Sequence, residues 1–161
     1  MPDISEPTAW AILFLPLGCF LLIALVIRPL LPGRYAPLSG YVTVLAIGAA
    51  FVLSMVALNS TLGHEEPIGW PSHSWVAIGD LDIRVGIIMD PLTAIMLVVV
   101  TGVSLLVQVY SQGYMRDDPG YSRYFAYMSL FTASMIGVVL AQSVLQLYVF
   151  WELVGVCSYL L

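Results

Sequence analysis

The sequence predicts an all-α polytopic membrane protein of five transmembrane helices with one short extramembrane β-hairpin. Three observations carry that prediction. The 161-residue chain is 60% hydrophobic and 9% charged, where a soluble domain carries about a quarter charged residues. Apolar stretches about as long as the ~20 helical residues that cross ~30 Å of hydrocarbon recur along it. Between the second and third of these lies one sizeable polar connection, residues 59–87, in which apolar and polar residues alternate. The formal net charge is −5, carried against five arginines and no lysine. That total suggests no basic patch for nucleic acid or for anionic lipid. The partner that composition does imply is the lipid bilayer.

Span one covers roughly residues 8–27. The chain opens with Asp3 and Glu6 rather than a basic region, and no small-residue cleavage site follows the apolar run, so this is a retained span and not a cleaved signal. Pro16 and Gly18 lie in its middle. A mid-helix proline frees a carbonyl and is expected to bend the span. Arg28, Pro29, Pro32, Gly33 and Arg34 close it. Span two, roughly 38–58, has no charge, and Gly40, Ala46, Gly48, Ala49 and Ala50 suit it to close packing against a neighbouring helix.

The connection 59–87 holds both histidines, four of the ten acids, Trp70 and Trp75. Leu81, Ile83, Val85 and Ile87 alternate with Asp80, Asp82, Arg84 and Gly86, the period-2 pattern of a strand with one apolar face. Ser74 to Ile78 is expected to pair back across Gly79-Asp80, giving a hairpin on the membrane surface. His64 and His73 lack the close spacing of a metal pair and read as solvated loop residues. No metal site is expected.

Asp90-Pro91 opens span three, roughly 91–112, as an N-cap aspartate followed by a proline at the first helical position, where its missing N–H costs nothing. Arg116-Asp117-Asp118-Pro119-Gly120 reads as a type II turn, with Gly120 taking the positive φ. Span four is roughly 122–141, and only Gln142 and Ser143 separate it from span five, roughly 144–161, which makes the two antiparallel neighbours. Cys19 and Cys157 both fall in apolar stretches, where a buried and inert thiol is the usual state. No repeat divides residues 1–161, which read as a single membrane domain. Because the fifth apolar run reaches Leu161 with no cap or flanking charge, the expectation is that it belongs to the N-terminal part of a longer chain.

Orientation follows from the arginines. Arg28, Arg34, Arg116 and Arg123 lie in the connections after spans one and three, whereas the N-terminus and the loop 59–87 together hold only Arg84. The positive-inside rule then puts the N-terminus and the hairpin outside, in lumen or periplasm.

Nine of the ten acids sit at caps, turns or loops, and the tenth, Glu152, does not. It lies about eight residues into span five, ~12 Å at 1.5 Å per residue and near the middle of the hydrocarbon. An ionisable group there costs several kcal/mol unless it is protonated, paired or wetted, so it is a functional candidate by default. At 100° per residue, Tyr148, Trp151, Gly155, Ser158 and Tyr159 share with Glu152 an arc of about 120°. Leu147, Phe150, Val154 and Leu161 lie on the opposite side. Burial disfavours a carboxylate's charged form and a nearby cation favours it, so a group in this position can load and release a proton as its partner or its water access changes. The competing reading is a glutamate that only hydrogen-bonds helices together. No lysine is present and every arginine falls at an interface or in a loop, so a buried cation for Glu152 has to come from outside these residues. There is no Gly-rich phosphate loop and no Cys or His cluster for iron–sulfur or haem, so no cofactor is expected on this chain.

Three runs of residues are recognisable together. They are Asp90-Pro91-Leu92-Thr93, then Tyr114-Met115-Arg116 with Gly120-Tyr121-Ser122-Arg123-Tyr124-Phe125-Ala126-Tyr127-Met128, and finally Phe150-Trp151-Glu152-Leu153-Val154-Gly155-Val156-Cys157-Ser158-Tyr159-Leu160-Leu161. The chain resembles the N-terminal portion of the antiporter-like subunit 5 of complex I-type NAD(P)H or ferredoxin:quinone oxidoreductases. Phe150 and Leu153 beside the glutamate are more similar to the cyanobacterial and chloroplast photosynthetic form than to the respiratory one. The resemblance implies a proton-translocating subunit in a thylakoid or bacterial inner membrane, part of a larger antiporter-like helical bundle. It also implies a lysine partner for Glu152 on a later span, other membrane subunits as partners, and plastoquinone or another quinone and iron–sulfur clusters held by those partners. The alternatives are a subunit of a multi-subunit cation/proton antiporter, which shares the Trp-Glu pair, and a structural membrane subunit.

Overall fold

The computed structural model describes residues 5–30, 32, 35–62, 68–71, 73–78 and 81–161. Five helices follow the five apolar stretches. They are α1 (Glu6–Leu30), α2 (Ala36–Thr61), α3 (Pro91–Tyr114), α4 (Tyr121–Leu140) and α5 (Val144–Leu160). The first four are long and apolar enough to cross a membrane, while α5 has 17 residues. That is the lower end of the ~17–25 residues a span needs. Each helix boundary falls within a turn of the one expected from its apolar run, α4 and α5 ending one residue earlier.

Helix α1 runs on through Pro16, and its departure from regular α geometry lies further along, in a π-helical stretch at Ile23–Ile27. The start of α3 is as the sequence requires. Asp90 is extended, at φ −111° and ψ 172°, and its Oδ1 accepts the Thr93 N–H at 2.6 Å. That bond holds the Asp90 carboxyl below the ordinary carboxylate value. The turn before α4 differs from expectation. Gly120 has φ −85° and ψ 6°, the third position of a type I turn and not the positive φ of type II. The reason is Asp118, whose Oδ1 accepts the Gly120 N–H at 2.6 Å and whose carbonyl accepts the Tyr121 N–H at 3.2 Å. A side chain able to hold the turn from its first position removes the need for a left-handed glycine.

Helix α4 is the hub, packing on α1, α2, α3 and α5. Small residues set the closest approaches. A β-carbon at Gly40 would overlap the Tyr121 ring, and one at Gly137 would overlap Phe150. Two apolar clusters fill the bundle, one around Ile12, Leu97, Ile136 and Leu140, the other around Ile23, Ile27, Tyr121 and Phe125. The buried hydroxyls mostly turn back onto their own helix: Ser54 to Ala50, Thr101 to Leu97, Thr132 to Met128 and Ser134 to Leu130. Cross-helix polar links join Ser111 to Tyr124 at 3.0 Å and Gln112 Nε2 to the Gly40 carbonyl at 3.3 Å. Both cysteines are free and buried, and Cys19 Sγ sits between Thr43 Oγ1 at 3.5 Å and Ser129 Oγ at 3.6 Å.

The outer connection forms two nested antiparallel ladders where one hairpin was expected. Strands β2 (His73–Ile78) and β3 (Leu81–Val85) pair as the alternation predicts, with Trp75 as an extra residue between the pairs Ser74–Arg84 and Val76–Ile83. The turn at Gly79-Asp80 and His64 lie outside the described residues. The strand expected to continue to Ile87 stops at Val85. Gly86 gives its N–H to Gln146 Oε1 at 3.3 Å, Ile87 bridges to Ala141, and β4 (Ile88–Met89) pairs with β1 (Ile68–Gly69). The ladder changes partner because a side chain from α5 claims the Gly86 amide.

Candidate functional site

Helix α5 starts where the outer sheet is pinned to the bundle. Ser143 caps it by accepting the Gln146 N–H at 3.2 Å, and the same hydroxyl donates to the Arg84 carbonyl at 3.3 Å. Gln146 is buried and anchors the Gly86 amide. From there one face of α5 lies on α4, its principal helix neighbour. Phe150 fits against Gly137, and Cys157, fully buried, meets Ser134. These contacts fix the rotation of the helix.

That rotation turns the six residues singled out in the sequence to the other side. Glu152, Tyr148, Trp151, Gly155, Ser158 and Tyr159 are all exposed, with Trp151 at 60% and Tyr159 at 88%. No described element covers them. Within the seam Tyr148 lies one turn before Glu152, its hydroxyl near the carboxylate, and the Tyr148 and Trp151 rings sit 6.4 Å apart at 50°. Ser158 donates to its own helix at the Val154 carbonyl and so offers no donor to Glu152. Gly155 leaves open space beside the helix, with no atom within 4 Å of where a β-carbon would stand. Of the opposite side, Phe150 and Val154 are partly buried while Leu147 and Leu161 are exposed.

The described arginines are elsewhere. Arg28, Arg116 and Arg123 line a cavity at the end of the bundle away from the sheet, and Arg84 is in β3. Among the described residues, then, the Tyr148 hydroxyl is the polar side-chain group beside Glu152. A carboxylate offers about four acceptor positions, so a second donor or a cation has room to approach. Such an arrangement can accept a proton from the open face and pass it on. No group of three or more His, Cys, Asp or Glu side chains that could hold a metal occurs among the described residues.

Two polar residues escaped the reading of the sequence. Gln146 is the link between the outer sheet and the helix that carries Glu152. Gln108, fully buried in α3, has neither amide atom hydrogen-bonded among the described residues. The signal available was simple: they are amides inside otherwise apolar runs, where a polar group without a partner is costly.

Comparison with known proteins agrees with the recognisable runs. Residues 75–125 match the family described as NADH-Ubiquinone oxidoreductase (complex I), chain 5 N-terminus. The chloroplastic NAD(P)H-quinone oxidoreductase subunit 5 of Mesostigma viride is 42% identical over 100% of this chain and 25% of its own length. The NAD(P)H-quinone oxidoreductase chain 5 of a Picosynechococcus species is 41% identical over 95% of this chain and 23% of its own. Among solved structures, the Mrp complex from a Dietzia species contains a chain that superposes with a TM-score of 0.71 and 26% identity, covering 96% of this chain and 16% of that one. The chain thus spans about a quarter of the length of the curated relatives it matches. The resemblance to subunit 5 in its chloroplast and cyanobacterial form holds over the whole chain, first two spans included.

Proposed function

We propose that this antiporter-like integral membrane chain is the N-terminal portion of a proton-translocating subunit of a complex I-like NAD(P)H or ferredoxin:quinone oxidoreductase, with Glu152 as its proton-transfer residue. The observation that carries the proposal is the position of Glu152. Among the described helices it is the one carboxylate away from a helix end, it stands on the face of α5 that no described element covers, and the Tyr148 hydroxyl lies beside it. Removal of a carboxylate from water stabilises its neutral form and a neighbouring cation stabilises the charged one. Movement or hydration of a lysine supplied from beyond these residues would therefore switch Glu152 between proton uptake and release. Tyr148 and Trp151 share its exposed face, and Gly155 leaves room for water or a partner helix.

In this reading the redox chemistry belongs to other subunits. Quinone, plastoquinone in a thylakoid, and iron–sulfur clusters sit on partners, and the energy of quinone reduction reaches Glu152 as a change of charge and hydration along the membrane. The N-terminus and the outer sheet face the lumen or periplasm, following the arginine bias.

The test is Glu152→Gln in the full-length subunit within its assembly. The expected result is an assembled complex with impaired quinone reduction and strongly reduced proton pumping. Pumping at the wild-type rate would leave Glu152 only a helix-bonding role. The fold likeness to the Mrp complex favours one second reading, a subunit of a cation/proton antiporter without redox partners. Copurification with iron–sulfur subunits excludes it, and sodium-dependent exchange without quinone turnover would support it.

A further inference from the structure

Three of the five arginines lie far from Glu152 and take no part in the reading above. Arg28 ends α1, Arg116 follows α3 and Arg123 is in the first turn of α4. They are distant in sequence, which is why a charge total of −5 suggested no basic patch. The fold gathers them around one cavity of about 860 Å³ between the end of α1, the start of α2 and the turn joining α3 to α4.

The cavity's lining is both charged and apolar. Ile27, Ala36 and Pro37 supply apolar wall alongside Arg28, Arg116 and Arg123. Asp117 and Asp118 also line it, so among the described residues three arginines against two aspartates leave the lining with one net positive charge. One of those acids is already committed, since Asp118 Oδ1 accepts the Gly120 N–H. The site stands at the level of the helix ends, where the hydrocarbon gives way to headgroups. Beside it, Leu25, Val26 and Leu30 on α1 are exposed at 65%, 41% and 72%. These supply an apolar track running from the cavity along the membrane-facing surface.

We propose that this cavity is a binding site for the headgroup of an anionic membrane lipid. One singly charged phosphodiester matches the net charge of the described lining. Guanidinium groups suit it because their planar donors meet oxyanion oxygens in pairs. The apolar wall takes the glycerol backbone, and Leu25, Val26 and Leu30 take an acyl chain. A free oxyanion would use the arginines and leave that wall and track bare, which is why a lipid is the better occupant. Basic pockets between membrane helices recognise anionic headgroups by this combination of charge and depth.

The experiment uses the full-length subunit in its purified assembly, reconstituted in nanodiscs of phosphatidylglycerol or of phosphatidylcholine. Bound lipid is counted by native mass spectrometry after delipidation, and thermal unfolding is followed in parallel. Wild type is expected to retain phosphatidylglycerol in preference to phosphatidylcholine and to unfold at a higher temperature with it. Each of Arg28→Gln, Arg116→Gln and Arg123→Gln is expected to weaken retention about fivefold, and the three together to abolish the preference. Asp117→Asn, which removes a competing negative charge, is expected to move retention the other way, so the proposal is tested even if the triple variant fails to assemble. Equal retention of both lipids by wild type would overturn it. So would an unchanged preference in the arginine variants, or weaker retention in Asp117→Asn. Millimolar inorganic phosphate giving wild type the same thermal protection as the lipid would overturn the lipid assignment, leaving only a free-oxyanion site.

Discussion

Helices α4 and α5 are joined by three residues and lie against each other, yet they handle polarity in opposite ways. Eleven residues of α4 are buried, among them Ser129, Thr132 and Ser134. Only Gln146 and Cys157 of α5 are. The α4 hydroxyls are donors, so Thr132 and Ser134 satisfy themselves on the carbonyls of Met128 and Leu130 in their own helix. A carboxylate has no proton to give when charged, and a helix interior offers it no free N–H. Apart from the Tyr148 hydroxyl one turn before it in α5, Glu152 therefore depends on groups that approach from outside its helix. The difference separates polar residues that complete a fold from one that needs a partner to be complete.

The comparison breaks most severely if the two helices are pushed apart. Gly137→Leu places a branched side chain where Phe150 packs, and is expected to cost about 3 kcal/mol, the upper range for overpacking a close helix contact. A fall in the thermal midpoint of the full-length assembly measures it, and Phe150→Ala in the same chain should recover part of the loss. If it does not, the contact does not set the spacing. Next in size is Gln146→Leu, which leaves the buried Gly86 N–H without its acceptor and is expected to cost about 2 kcal/mol. Hydrogen exchange should show the Gly86 amide opening faster, whereas an unchanged rate would mean that the sheet is not pinned through Gln146.

Much of this architecture was legible in the sequence because each step of it is local. Apolar length marked the helices, Asp90-Pro91 marked the start of α3, and period-2 alternation marked β2 and β3. The same wheel geometry that grouped Glu152 with Tyr148 and Trp151 describes their shared exposed face. What failed to show were long-range choices. The type II reading of the Asp118 to Tyr121 turn counted glycine's freedom and overlooked an aspartate at the first position. The single strand to Ile87 overlooked Gln146, sixty residues away, as a rival for the Gly86 amide. The arginine cavity was invisible because a charge sum contains no distances.

A smaller test sits at the helix whose cap was read correctly. Asp90→Ala removes the acceptor of the Thr93 N–H and is expected to cost about 1 kcal/mol. In the wild type the carboxyl is held below its ordinary value when folded, so its contribution is fully present above the unfolded value. It is lost as pH falls through the folded value. Asp90→Asn keeps an acceptor but cannot titrate, so its stability should lack that acid-range decline, and a parallel decline in both proteins would place the titrating group elsewhere.

The smallest effect is the one that sharpens the contrast between the helices. Thr132→Val keeps the shape of a fully buried side chain in α4 and deletes the hydroxyl that donates to Met128. The Met128 carbonyl still receives its ordinary helical N–H, so no acceptor is stranded, and the expected change in stability is within about 0.5 kcal/mol. Proton pumping by the assembly should be unaltered. Glu152→Gln is also nearly isosteric and also removes one polar function from an apolar helix, but its expected effect lies in pumping and not in unfolding. A measurable loss of pumping in Thr132→Val would place α4 hydroxyls in the proton path and erase the distinction drawn between the two helices. Loss of stability without loss of pumping would show that Thr132 holds a partner besides Met128. Wild-type behaviour on both counts, beside a Glu152→Gln assembly that is intact but pumps far less, is what a fold-completing hydroxyl and a partner-requiring carboxylate should produce.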